Sequence, residues 1–144
     1  MKKLTFLPAV ALAKAGILFL LPIFFLVACG EDKKQIDALS KETDTLHDQA
    51  MKDLADMNRV ARELKANMIV ATMTPEQSAA YNEALTKMGN AENGMMNWMK
   101  DYKSPDAMPA AEALKYLQEQ KALLQKNQAD IKAAMEAGMK LQGK

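Results

Sequence analysis

Residues 35–72 read QIDALSKETDTLHDQAMKDLADMNRVARELKANMIVAT, with neither proline nor glycine. Ile36, Ala50, Met57, Leu64 and Ala71 recur at a seven-residue step, and Thr43 fills the one gap. Leu39, Leu46 and Val60 hold the companion position, interrupted by Asp53, while Leu54, Ala61 and Met68 widen the stripe. An apolar face with a period near 3.5 residues predicts one long amphipathic helix that packs along its length. Asp37–Lys41 and Asp48–Lys52 are acid-first pairs four residues apart, expected to support the exposed side. At 1.5 Å per residue such a helix runs roughly 57 Å.

Two further helices follow by the same logic. Thr74-Pro75-Glu76-Gln77 is a start signal. Thr74 can cap, proline suits the first helical position, and Gln77 completes a capping box. The second helix then carries Tyr81, Leu85, Met88, Met95, Met99 and Tyr102, with Glu92 at the edge of the seam. Gly89 and Gly94 each weaken it by about 1 kcal/mol relative to alanine, and Gly89-Asn90 is where it would break. Lys100 and Lys103 suit its negative end. Ser104-Pro105-Asp106 and Pro109 mark the next turn. The third helix is expected from about Pro109 to Leu141, with Leu114, Leu117, Leu124, Ile131 and Met135 as its stripe. Lys121 and Gln128 fall on that stripe, their stems buried and their heads reaching solvent. Gly138 and Gly143 suggest fraying at its end. Short connections make sequential helices antiparallel. The predicted fold is all-α, an up-down-up three-helix bundle of long helices over residues 35–144.

Composition narrows the function classes. The chain has 144 residues, nineteen Lys+Arg against eighteen Asp+Glu, one cysteine and one histidine. Near-neutral charge, with Arg59 and Arg62 the only arginines, argues against nucleic-acid binding. One cysteine excludes an intrachain disulfide and multi-cysteine zinc sites.

The amino terminus reads as an address. Lys2, Lys3 and Lys14 precede an uncharged run from Ala15 to Gly30. Basic and apolar regions in that order make a secretory signal. The competing reading is a retained anchor, but the run is shorter than the roughly 20 residues a spanning helix needs, and Pro22 interrupts it. Leu26-Val27-Ala28-Cys29 resembles the bacterial lipobox. The resemblance implies cleavage of residues 1–28 and acylation of Cys29, a membrane anchor to which each buried methylene contributes about 0.8 kcal/mol. Residues 29–34 would then be a solvated tether. Its acidic pair, Glu31-Asp32, is also similar to the surface-export signal of some Bacteroidota lipoproteins. Cleavage removes three lysines, no acid and all four phenylalanines, leaving 116 residues with a net charge of −2. The core must come from Ala, Leu and Met.

Eleven methionines remain in that mature chain. Met95, Met96 and Met99 surround Trp98, and His47 and Met51 share a helix face at i, i+4. Thioethers with imidazole select Cu(I), so His47, Met51, Met95, Met96 and Met99 are the candidate metal ligands. The simpler reading is core filling, since Met57, Met88, Met95, Met99 and Met135 lie on the seams. Trp98 lies one position off its seam, packed at the bundle edge with a wet indole N–H or marking a partner site. Asp53, Asp56 and Glu63 lack a partner base and read as a solvated face. No phosphate-cradling loop or nucleophile elbow is present.

At Leu46-His47-Asp48 through Met51, at Met96-Asn97-Trp98-Met99 through Tyr102, and at Tyr116-Leu117 with Gln120, the chain resembles a family of small Bacteroidota lipoproteins labelled viral A-type inclusion proteins. That label reflects helical composition and implies no activity. The resemblance implies no catalytic residues and points to His47, Asp48, Trp98 and Tyr102 as interaction positions.

The sequence therefore predicts a non-enzymatic lipoprotein of the bacterial envelope, anchored at the outer membrane on its periplasmic or surface side. It would need no cofactor and would act as a structural or interaction module toward an envelope protein or a second copy. Its alternative is Cu(I) handling through the methionines and His47. Substituting Cys29→Ala should shift the protein from the membrane to the soluble fraction. Unchanged retention on fractionation would remove the lipid anchor.

Overall fold

A computed structural model describes the backbone of residues 23–143 and the side chains of residues 30–143. Among the described residues the chain is helical, with no strand. Helix α1 spans Ile23–Val70, α2 Pro75–Asp101 and α3 Ala110–Leu141, with one short 3-10 turn at Pro105–Ala107. The proposed signal segment and the Cys29 side chain lie outside the described side chains. No helix among the described residues is long and apolar enough to cross a membrane.

Helix α1 starts earlier than the expected Gln35 and takes in residues 29–34, assigned above to a tether. No proline lies between residues 23 and 70, and the one glycine, Gly30, only weakens a helix. The start of α2 follows its sequence signal. Gln77 N–H donates to Thr74 Oγ1 at 3.2 Å, and Thr74 N–H donates to Gln77 Oε1 at 2.9 Å. Glu76, in that first turn, is held below the usual carboxylate range by its own backbone N–H and the Thr74 hydroxyl. Helix α2 passes Gly89 without a break. Tyr102 closes it, its N–H donating to Trp98 O at 2.9 Å.

The core follows the heptad step. Thr43, Ala50, Met57 and Leu64 on α1 are fully buried, as are Leu117, Leu124 and Ile131 on α3. Met88 and Met95 supply the large buried side chains of α2, beside Ala84 and Ala91. Thr43 meets its polar obligation within its own helix, the hydroxyl donating to Leu39 O at 2.8 Å. Alanine at six core positions lets helices approach closely, so the large methionine, leucine and isoleucine side chains contribute most of the apolar burial. Helix α3 packs most extensively on α1, then on α2, and α1 touches α2 least.

Cross-helix pairs give the directions. His47 stacks on Trp98, and Asn58 Nδ2 donates to Glu92 Oε1 at 3.3 Å, so α1 and α2 are antiparallel. Lys121 meets Glu42 at 2.6 Å and Gln128 meets Asp53 at 2.7 Å, so α1 and α3 are parallel.

Several expectations need correction. Ala71 lies beyond the end of α1 and is exposed, because the chain turns there toward Thr74. The pairs Asp37–Lys41 and Asp48–Lys52 do not form, and Asp48 lies instead 3.4 Å from His47, whereas Glu83–Lys87, of the same spacing and order, does form at 2.7 Å. Gln128 does not reach for solvent. It donates to Asp53, which is 14% exposed and also accepts from Gln49 at 3.1 Å and pairs with Lys132 at 3.5 Å.

Gly138 is no fraying point. It is buried in α3, and a Cβ there would overlap Met88 Cε and lie 3.0 Å from Val60 Cγ1 and 3.1 Å from Leu64 Cδ1. Gly143, with φ +70°, is the glycine that ends the helix. The two helical glycines Gly89 and Gly138 should therefore respond oppositely to alanine. At Gly89 nothing lies within 4 Å of a Cβ, so Gly89→Ala should stabilise by about 0.5–1 kcal/mol. Gly138→Ala gains the same propensity but overpacks the core, at a cost of about 1–3 kcal/mol. Thermal or urea unfolding should show a higher midpoint for the first and a lower one for the second.

Candidate functional site

The interaction residues expected from the sequence meet at one end of the bundle. Leu46, Ala50 and Leu54 turn one face of α1 inward, which leaves His47 at the α1–α2 edge with 31% of its side chain exposed. On α2, Met95 points into the core, and Trp98 and Tyr102 follow on that side, one turn apart. The rings form a ladder. His47 lies 5.6 Å from Trp98, Trp98 lies 4.9 Å from Tyr102, and Tyr102 lies 6.0 Å from Tyr116 of α3. All three interplanar angles are between 30° and 35°. Tilted ring pairs at these separations are within the range of favourable aromatic contact.

Polar atoms frame the ladder. Asp48 Oδ1 lies 3.4 Å from His47 Nδ1, a long contact from an exposed carboxylate. Tyr116 Oη accepts from Lys103 N–H at 2.7 Å, pinning the chain just after α2. Ser104 Oγ meets Asp106 Oδ2 at 2.6 Å in the same turn. The Trp98 indole N–H is buried without a hydrogen-bond partner, which corrects the expectation that it is wet. Trp98 packs against the core cluster, so its edge is covered by the bundle itself.

The candidate metal ligands divide. Met95 is fully buried in the core, and Met51 packs against the same cluster. Met99 is half-buried, and Met96 is 40% exposed. Adjacent helical residues project about 100° apart, so Met95 and Met96 do not face a common point. The acids are engaged elsewhere: Asp53 with Gln49, Gln128 and Lys132, and Asp56 with Arg59 at 3.0 Å. No three His, Cys, Asp or Glu side chains among the described residues converge on a metal position.

Two features escaped the sequence reading. Tyr116 sits one position before the buried Leu117, and only the other aromatics, once placed, mark it as a fourth rung. Ile69 and Val70, on the last turn of α1, are 85% and 82% exposed. They lie off the heptad seam, a signal that periodicity could have given. No protein-family model, curated protein or solved structure matches the chain.

Tyr102 is held above the ordinary tyrosine pKa of 10.0, first by burial and then by Asp44, Tyr116 and Asp106. A raised folded-state pKa means that the folded protein keeps a proton the unfolded chain gives up. The stability this contributes is fully present below pH 10 and is lost as pH rises through the folded pKa. Tyr102→Phe should therefore lose less stability than the parent as pH rises above about 10, where the unfolded chain's tyrosine begins to ionise. Thermal midpoints measured from neutral pH upward through pH 10 check it, and parallel curves would show that Tyr102 carries no such linkage.

Proposed function

We propose that this chain is a lipid-anchored protein of the bacterial envelope, tethered at the outer membrane through Cys29. Its helical bundle is a non-catalytic module that presents an apolar tip to an envelope protein. The observation that carries this reading is the exposure of Ile69 and Val70. Isolated exposed apolar residues need no explanation. These two are adjacent and large, and they continue into exposed Ala71 and half-buried Met73. The core cluster does not include them, so folding does not require them. A shallow groove beside them is lined by Met73, Gln77, Tyr81 and Leu141. Contiguous apolar surface at the tip of a polar rod suits partner binding.

The position fits an anchored module. Cys29 and Val70 belong to the same helix, α1, and 41 residues at 1.5 Å separate them by about 60 Å. Anchorage at one end would hold the apolar tip well clear of the bilayer. The aromatic ladder stiffens the end nearer the anchor and joins all three helices there.

The test is site-specific photocrosslinking in intact cells, with the reactive group in place of exposed Ala71. A discrete adduct, lost when Ile69→Asp and Val70→Asp are introduced together, is the expected outcome. An adduct at twice the chain's mass would identify the partner as a second copy. The double variant should lose at most about 1–2 kcal/mol of unfolding free energy, since both sites are exposed and each carboxylate at the negative end of α1 costs about 0.3–1 kcal/mol. Absence of any tip-dependent adduct from correctly anchored protein would overturn the reading.

A further inference from the structure

The register of α1 against α2 sets residues with soft donors at one level of the bundle, His47 and Met51 on α1 and Met95 on α2. His47 over Trp98 and Asn58 against Glu92 fix the antiparallel register on either side of Met51. Met51 therefore lies level with the stretch of α2 that includes Met95. It packs against the buried cluster to which Met95 belongs. His47 and Met51 are four residues apart on α1, and Met95 and Trp98 three apart on α2, so each pair shares a face. Trp98 already lies 5.6 Å from His47, ring to ring.

The imidazole is set up for ligation. Its Nδ1 faces the Asp48 carboxylate at 3.4 Å, which leaves Nε2 as the nitrogen available to a ligand. A carboxylate behind the second ring nitrogen is the arrangement that orients metal-binding histidines. Met51 is partly and Met95 fully buried, and thioethers are ligands that suit a soft monovalent ion. The Trp98 face can stabilise a cation held beside it. The partly exposed His47 ring gives the way in.

We propose that His47, Met51 and Met95, closed by the face of Trp98, form a binding site for Cu(I). Met96 is outside it, being exposed and turned away from Met95. Binding is simple coordination by neutral donors, with no change of oxidation state.

Trp98 is the chain's only tryptophan, so its emission reports on this site alone. The experiment titrates Cu(I), held under reducing and anaerobic conditions, into the full chain in detergent against a chromogenic Cu(I) chelator. Ag(I) serves as a redox-inert second probe. Expected are saturable, stoichiometric uptake and quenching of Trp98 emission that saturates with it. His47→Ala, Met51→Leu and Met95→Leu should each weaken binding about tenfold or more, the scale seen even for changes behind a ligand. Met96→Leu should bind as the parent does. The leucine variants conserve volume and keep the fold, which circular dichroism verifies. No uptake in competition with the chelator would overturn the site. So would affinity unchanged in the three variants, or Trp98 emission unchanged at saturation.

Discussion

The parallel seam between α1 and α3 is the constraint on which the rest of the molecule depends. Thr43, Ala50, Met57 and Leu64 run along one helix, and Leu117, Leu124, Ile131 and Gly138 along the other, each at a seven-residue step. Without phenylalanine between residues 30 and 143, and with alanine at many core positions, little apolar area is available per residue. Stability must then come from fit more than from bulk, because dispersion contacts fall off within a fraction of an ångström. Gly138 shows how close the fit is. Met88, Val60 and Leu64 from two other helices converge on a space that a single methyl group would overfill.

Helix α2 is held differently. It leans on α3 more than on α1, and its links to α1 include the His47–Trp98 stack and the Asn58–Glu92 hydrogen bond. A thin interface built from rings and polar side chains opens at lower free energy than a packed seam. The α1–α2 edge is thus the part of the bundle best able to admit something small, and the orphaned Trp98 N–H adds to the cost of keeping it closed. At the far end of α3, Tyr81 donates to Leu141 O at 3.2 Å and ties the start of α2 in place.

Periodicity made the three helices, the Thr74 capping box and the heptad positions legible in the sequence, because each is a local or repeating signal. His47, Trp98 and Tyr102 were legible as residues to examine, but not their convergence with Tyr116, which depends on how far each helix slides along its neighbour. Gly138 was misread for the same reason. From sequence a glycine near a helix end is a stop, and only the neighbouring helices reveal it as a point of closest approach. The exposure of Ile69 and Val70 was hidden by the apolar composition of the segment, although both fall outside the seven-residue pattern.

Asp53 looked like a flaw in the stripe, yet its environment makes it the determinant of register. A heptad seam by itself tolerates sliding by one repeat, about 10 Å, since seven residues on the pattern begins again. Asp53 does not repeat. Gln128 and Lys132 of α3 reach it at one alignment of α1 with α3, beside Gln49 of its own helix, and Lys121 reaches Glu42 at that same alignment. Slipping a repeat would strip a mostly buried carboxylate of its α3 partners, a far larger penalty than the apolar contacts would notice. Asn127, donating to Gly94 O at 3.3 Å, fixes α2 against α3 in the same way. Once both alignments are set, the position of α2 along α1 follows, and with it the meeting of His47 and Trp98. The polar residues that interrupt the hydrophobic pattern are therefore what bring the candidate site together.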